Sequence, residues 1–225
     1  MSKQELLNKE RFDFDDLCEV IDILRAPDGC PWDREQDHKS IRKGLIEETY
    51  EVVEGIDSGD DKIMLEELGD LLMQVVFHAA IAKDENAFDI NDICTGICKK
   101  LIYRHPHVFA DVSVDSSDEV LKNWDELKKK EKGQKSKSDV LSSVSRALPS
   151  LMRAQKLSKK SGEQTELDAV CDSIALAAQK LKTEQDSRLI GGLLFDAARL
   201  GNLKNCDLEQ VLYEENETFC QNFAK

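Results

Sequence analysis

Residues 47–70 read EETYEVVEGIDSGDDKIMLEELGD, and their interpretation decides the fold. Glu47, Glu48 and Glu51 form one acidic cluster, and Glu67 and Asp70 form a second. Residues three and four apart share a helix face, so Glu48 and Glu51 point together, as do Glu67 and Asp70. Between them Asp57-Ser58-Gly59-Asp60 reads as a turn. Two helices joined by such a turn run antiparallel, and their carboxylates meet. Carboxylates gathered at one place repel, and a hard divalent cation is the usual remedy. Mg²⁺ is the expected ion, with Mn²⁺ as the alternative. An EExxE pattern alone is common on solvated helix faces. Its pairing with ExxD, after a turn and inside a strongly apolar helix, points to a metal.

Outward from this stretch the pattern stays helical. The first acidic cluster sits on a helix from about Ile41 to Ile56. The second sits on a helix from Asp60 or Asp61 to about Lys83. Ile63, Met64, Leu65, Leu68, Leu71, Leu72, Val75, Val76, Phe77 and Ile81 make that helix apolar over more than one stripe. It is expected to be buried on more than one side, with a partner subunit as a source of the second contact. Upstream, a helix is expected over Leu6 to Leu24. A turn at Ala26-Pro27-Asp28-Gly29 and a loop at Cys30-Pro31-Trp32-Asp33 follow. Downstream, a helix runs from after Asp89 to about Arg104, where His105-Pro106-His107 stops it. Another opens at Ser116 or Ser117, with Ser116 and Glu119 as a capping box, and reaches about Lys130. The lysine- and serine-rich stretch after it reads as a tether. Four more helices are expected: Arg146 to Lys160, Leu167 to Leu181 with Thr165 as its cap, Ser187 to Leu200, and Asp207 to Phe223. The class is all-α.

The chain has 225 residues, a formal net charge of -14 and 40% hydrophobic residues. That leaves apolar material for a core and argues against a nucleic-acid binder, which needs a basic face. MSKQELLNKE has no apolar core, so no signal peptide is expected there, and no apolar run reaches the roughly 18 residues of a membrane span. The seven cysteines are odd in number, scattered, and form no CxxC pair. They signal neither zinc nor a disulfide framework, and a reducing cytoplasm is expected.

The two halves of the chain resemble each other. Residues 67–73, ELGDLLM, line up with residues 189–195, LIGGLLF. Glycine and the Leu-Leu pair survive, but Glu67 becomes Leu189 and Asp70 becomes Gly192. Glu47, Glu48 and Glu51 correspond to about Asp172, Ser173 and Leu176. An apolar frame that persists without its acids indicates a packing role. The expected layout is an N-terminal domain over 1–131 with the complete acidic set, a linker over 132–145, and a degenerate copy over 146–225 that lacks ligands.

EETYE followed by ELGD resembles the EExxE…ExxD signature of the MazG-type nucleoside triphosphate pyrophosphohydrolases. Further matching text is GCPWDREQDH at 29–38, DLLMQVVFHA at 70–79, FDINDIC at 88–94, RHPHVFAD at 104–111 and SLMRAQKL at 150–157. The likeness covers most of residues 15–160 and is weak from 161 onward. It implies an all-α bundle of two tandem MazG-like copies, dimeric or higher through helix packing. It also implies Mg²⁺-dependent cleavage of nucleoside triphosphates, NTP or dNTP, to monophosphate and pyrophosphate. Glu48, Glu51, Glu67 and Asp70 would bind the metal. Glu47 and Glu48 would serve the catalytic step, with Glu47 helping to orient the water. Lys100 and Arg104 would contact the phosphates, and Trp124 the nucleotide.

Phosphoanhydride cleavage needs an aimed water and neutralised phosphate oxygens, and these residues are suited to both. No GxxxxGK[ST] loop and no Ser or Cys nucleophile motif occurs. Hydrolysis by activated water is the mechanism left, in a house-cleaning or pool-regulating role. A catalytically weak or inactive dimeric nucleotide-binding module is the alternative. His105 and His107 are read as structural, and His78 as a core or interface residue.

Overall fold

The computed structural model of the chain describes residues 3–131, 133 and 136–223. Among them are thirteen helices and no strand, so the all-α class holds. None of these helices is long and apolar enough to cross a membrane. The chain divides into two compact units, Met1–Ser113 and Val114–Lys225.

The first unit contains α1 (Lys3–Leu7), α2 (Phe14–Arg25), α3 (Pro31–Glu35), α4 (Arg42–Ser58), α5 (Asp61–Asp84), α6 (Ile90–Arg104) and α7 (Pro106–Phe109). Its backbone is the hairpin of α4 and α5, the most extensively packed helix pair in the protein. The turn is short. Gly59 ends α4 in the left-handed region, φ 66°, where a residue without Cβ has no steric penalty. Asp60 then caps α5 by accepting from the backbone N–H groups of Lys62 and Ile63.

Two close approaches set the register. A Cβ on Gly55 would lie 2.8 Å from the backbone nitrogen of Met64, near the turn. A Cβ on Gly44 would lie 2.8 Å from the Gln74 amide nitrogen, at the open end. Helices in contact at 55/64 and 44/74 are antiparallel, and the same register sets Glu48 opposite Asp70 and Glu51 opposite Glu67.

The core of this unit gathers Ile21, Ile41, Val76, Phe77, Ala80 and Ile81, with Leu17, Cys18, Leu24, Met73 and Ile90 against it. The breadth of the apolar surface on α5 thus resolves along its length. The run from Gln74 to Ala82 is largely buried within the chain. Nearer the turn Leu65, Leu68 and Leu72 stay exposed, Leu65 at 75%.

Several boundaries differ from expectation. The helix expected over Leu6 to Leu24 is broken, because Asp13 caps α2 in a reciprocal box with Asp16. Asp16 also accepts from Lys9 Nζ at 2.6 Å, which folds the preceding turn back. Residues 30–33, expected as a loop, start α3, with Pro31 at the first helical position, where its missing N–H costs nothing. At Ser116 the box is displaced: Ser116 Oγ accepts from Glu119 N, but the Glu119 carboxylate accepts from Asp115 N. Thr165 does not cap its helix. Its hydroxyl donates to the Glu163 carbonyl, and Glu166 is the N-cap residue without a side-chain bond.

The second unit holds α8 (Ser117–Glu131), α9 (Lys137–Ser142), α10 (Ser150–Ser161), α11 (Leu167–Lys180), α12 (Ser187–Lys204) and α13 (Leu208–Phe223). Helix α8, expected with the first domain, belongs to this unit. Part of the expected linker is helix α9, opened by a Ser136/Asp139 capping box, while residues 132, 134 and 135 lie outside the described residues. Helices α11 and α12 pack on each other, and α10 packs on α12. Asp196 of α12 is buried, accepts from Ser173 Oγ of α11 at 2.6 Å, and pairs with Arg199 at 3.1 Å.

Candidate active site

The α4–α5 hairpin brings oxygen atoms of Glu48, Glu67 and Asp70 within 4.8 Å of one another, all three residues half-buried. Glu51 lies outside that trio but within reach of it. Its charge bears on both Glu48 and Glu67. The facing pairs set by the helix register are the pairs that interact. Partial burial holds Glu48 above the ordinary carboxylate range, and Asp70, then Glu51, raise it further. Desolvation also raises Glu67, followed by the charges of Glu51 and Asp70. Glu66 and Glu54 add to the field at Glu67. Neither was singled out from the sequence, since both sit between the motif positions.

Among the described residues no lysine, arginine or histidine forms an ion pair with Glu48, Glu51, Glu67 or Asp70. Elsewhere in this unit clustered acids find cations: Asp16 has Lys9, Asp22 has Lys83, and Asp84 has Arg25. An all-carboxylate donor set, drawn together across two helices and left without a protein cation, fits a hard divalent ion.

The remaining sequence-derived residues are placed less uniformly. Glu47 is exposed and pairs with Lys43 at 2.6 Å, one turn away on α4, and lies outside the trio. Lys100 and Arg104 occupy successive turns of α6, but Lys100 is exposed while Arg104 is buried. Trp124 is on α8 in the second unit, with Lys128 Nζ 4.5 Å above its ring. His78, read as core or interface, is half-buried on α5, and its Nδ1 lies 2.8 Å from Nδ1 of His38. Forty residues separate the two, so no local pattern revealed that contact.

Residues 36–109 match the MazG nucleotide pyrophosphohydrolase domain. The chain is 38% identical to the nucleoside triphosphate pyrophosphohydrolase/pyrophosphatase MazG of Thermotoga maritima, over 94% of this chain and 84% of that protein. It is 40% identical to the nucleoside triphosphate pyrophosphohydrolase of Escherichia coli K12, over 94% of this chain and 86% of that protein. A solved structure of a mazG-related protein from Thermotoga maritima is 29% identical, with a TM-score of 0.45, over 51% of this chain and 98% of that chain. The likeness to full-length relatives extends past residue 160, where the motifs had faded. The chain belongs to the MazG nucleotide pyrophosphohydrolase family.

Proposed function

We propose that this protein hydrolyses nucleoside triphosphates, NTP or dNTP, to monophosphate and pyrophosphate, with Mg²⁺ at the α4–α5 hairpin. Mn²⁺ is the alternative ion. The observation that carries this reading is the trio of Glu48, Glu67 and Asp70, drawn together across two helices and without an ion-pair partner among the described residues. The names of the relatives support the same activity. Glu48, Glu67 and Asp70 would hold the ion, with Glu51 beside them. A bound divalent cation supplies charge on the phosphate oxygens and lowers the pKa of a coordinated water.

The chain's own residues do the rest. Glu48, which stands with Glu67 and Asp70 where the ion and its water would sit, is proposed as the carboxylate that accepts a proton from the attacking water. Glu47, held by Lys43, is proposed to orient that water. Lys100 and Arg104 are proposed to clamp the phosphates and Trp124 to contact the nucleotide, and the family resemblance carries those three roles. The second unit is proposed to be a copy that retains packing and has lost its ligands. Where the first hairpin carries Glu48, the second carries Ser173, whose hydroxyl is spent on Asp196. A homodimer through the exposed leucines of α5 accompanies this reading. A reducing cytoplasmic location fits seven free cysteines.

The test is incubation of the pure, folded protein with common NTPs and dNTPs plus Mg²⁺, with monophosphate and pyrophosphate measured separately. Product release as that pair supports the proposal. No product above background, with nucleotide binding retained in calorimetry, would instead establish the non-turning-over binding module.

A further inference from the structure

The proposed mechanism leaves one cluster of titratable groups unused: the imidazoles of His38 and His78. His38 lies in the segment between α3 and α4, and His78 lies on α5. Their Nδ1 atoms are 2.8 Å apart, and the rings are near parallel, 13° between planes, with centroids 5.1 Å apart. At that distance one nitrogen donates and the other accepts. Two protonated Nδ1 atoms cannot both stay there.

The surroundings choose the tautomers. His78 Nε2 is buried with no hydrogen-bond partner among the described residues. An orphaned buried donor is rarer than an under-used acceptor. The proton of His78 therefore belongs on Nδ1, which donates to Nδ1 of His38. His38 then carries its proton on Nε2, which faces the Glu85 carboxylate at 3.9 Å. The order is Glu85, His38, His78, with each proton assigned.

The pair ties together two elements that need tying. Helix α4 starts at Arg42, and its N-cap residue, Ile41, provides no side-chain cap. The segment before it is a tight loop, in which the Asp37 carboxylate accepts from the N–H groups of Lys39 and Ser40. Ile41 packs in the core, and His38 is the polar link from this segment to α5. Charged groups on the surrounding elements are otherwise committed. On α2, Arg25 pairs with Asp84 and lies over the Phe77 ring, and Asp22 pairs with Lys83. On α4, Lys43 pairs with Glu47, and Arg42 stands at the exposed start. At the start of α6, Asp89 and Asp92 are engaged in a capping box. Glu85 is the carboxylate that contacts the pair.

We infer that His38 and His78 form a proton-sensitive latch that fastens the segment leading into α4 onto α5. Uptake of one proton at His38 Nδ1 removes the acceptor for His78; the bond could re-form only with the His78 proton moved to Nε2, where it would be a buried donor with no partner among the described residues, so the new imidazolium turns to Glu85 for its counter-charge. The latch opens, and the start of α4, two turns before Glu48, loses its side-chain link to the helix that carries Glu67 and Asp70. Burial, with the neighbouring His38 adding to it, lowers the pKa of His78 and favours the neutral form of that ring.

The test uses the full chain labelled with ¹⁵N at histidine, titrated from about pH 8 to about pH 5 across the ordinary histidine value of about 6.5. The expected spectrum has His78 protonated on Nδ1 and His38 on Nε2 at high pH, with His38 taking up the next proton. Amide exchange over residues 38–45, corrected for its intrinsic pH dependence, should quicken about tenfold on acidification, the equivalent of one lost hydrogen bond. In His38→Asn the fast exchange should be present at both ends of the range. Independent titration of the two rings, the opposite tautomers, or corrected exchange that does not change with pH in the wild-type chain would each overturn the inference.

Discussion

Gly55 offers the sharpest test of the hairpin that builds the site. An added Cβ there meets the backbone nitrogen of Met64 at 2.8 Å and its Cα at 2.9 Å, and backbone cannot swing aside. Gly55→Ala should therefore push α4 and α5 apart. Overpacking of this kind costs about 1–3 kcal/mol, against a helix-propensity gain of about 1 kcal/mol for replacing glycine by alanine. The net expectation is a loss of about 1 kcal/mol, or roughly 4–8 °C in Tm for a unit of this size. Gly69 is the control, since a Cβ at that helix position meets nothing within 4 Å. Gly69→Ala should keep the propensity gain and raise Tm by a few degrees. Thermal melts followed by far-ultraviolet circular dichroism compare the three proteins. The site gives a second readout: spreading the helices separates Glu48 from Asp70, so Gly55→Ala should weaken Mg²⁺ binding in calorimetry as well. Equal or higher stability in Gly55→Ala, with Mg²⁺ affinity unchanged, would refute the antiparallel register that sets Glu48 opposite Asp70.

Three further outcomes are expected. Asp70→Asn and Glu67→Gln should each lower turnover by at least about a hundredfold while leaving the helical signal intact, as measured by product release and circular dichroism, because each removes a carboxylate from the trio. In a chelator, the raised Glu48 and Glu67 carboxyls should make stability fall as pH rises. A folded-state pKa above the unfolded value contributes stability that is present below the unfolded pKa and is lost as pH passes through the folded one. Melts of the wild type and a Glu48→Gln, Glu67→Gln double variant should thus diverge in the variant's favour as pH rises above about 4.3, the ordinary glutamate value, and saturating Mg²⁺ should remove the wild-type deficit. In the second unit, Ser173→Ala should cost about 2 kcal/mol, the typical value for a hydrogen bond to a charged acceptor, read as a lower denaturant midpoint with turnover unaffected.

Much of this was legible in residues 47–70. Helical periodicity, a glycine just past one helix, an aspartate cap opening the next, and acids at three- and four-residue spacing are local facts. They specify two antiparallel helices with carboxylates between them. Local signals were also where the reading failed. Asp13 and Asp16 broke a helix that its apolar stripe had continued, and Pro31 started a helix where a loop was expected. In the first case capping chemistry outweighed the apolar pattern, and in the second the fixed φ of proline suited the first helical position.

Chain order alone thus accounts for the hairpin and for the residue types at the candidate metal site, because helix geometry converts spacing into direction. It could not say that Glu51 stands beside the trio rather than in it. Nor could it show that Arg104 is buried while Lys100 on the same helix is not, or that Leu65 stays exposed while Val76 is enclosed. Those distinctions depend on which neighbour occupies each side of a helix. The His38–His78 contact is the clearest instance: it joins residues forty positions apart, through packing of a loop onto α5 that no periodicity encodes.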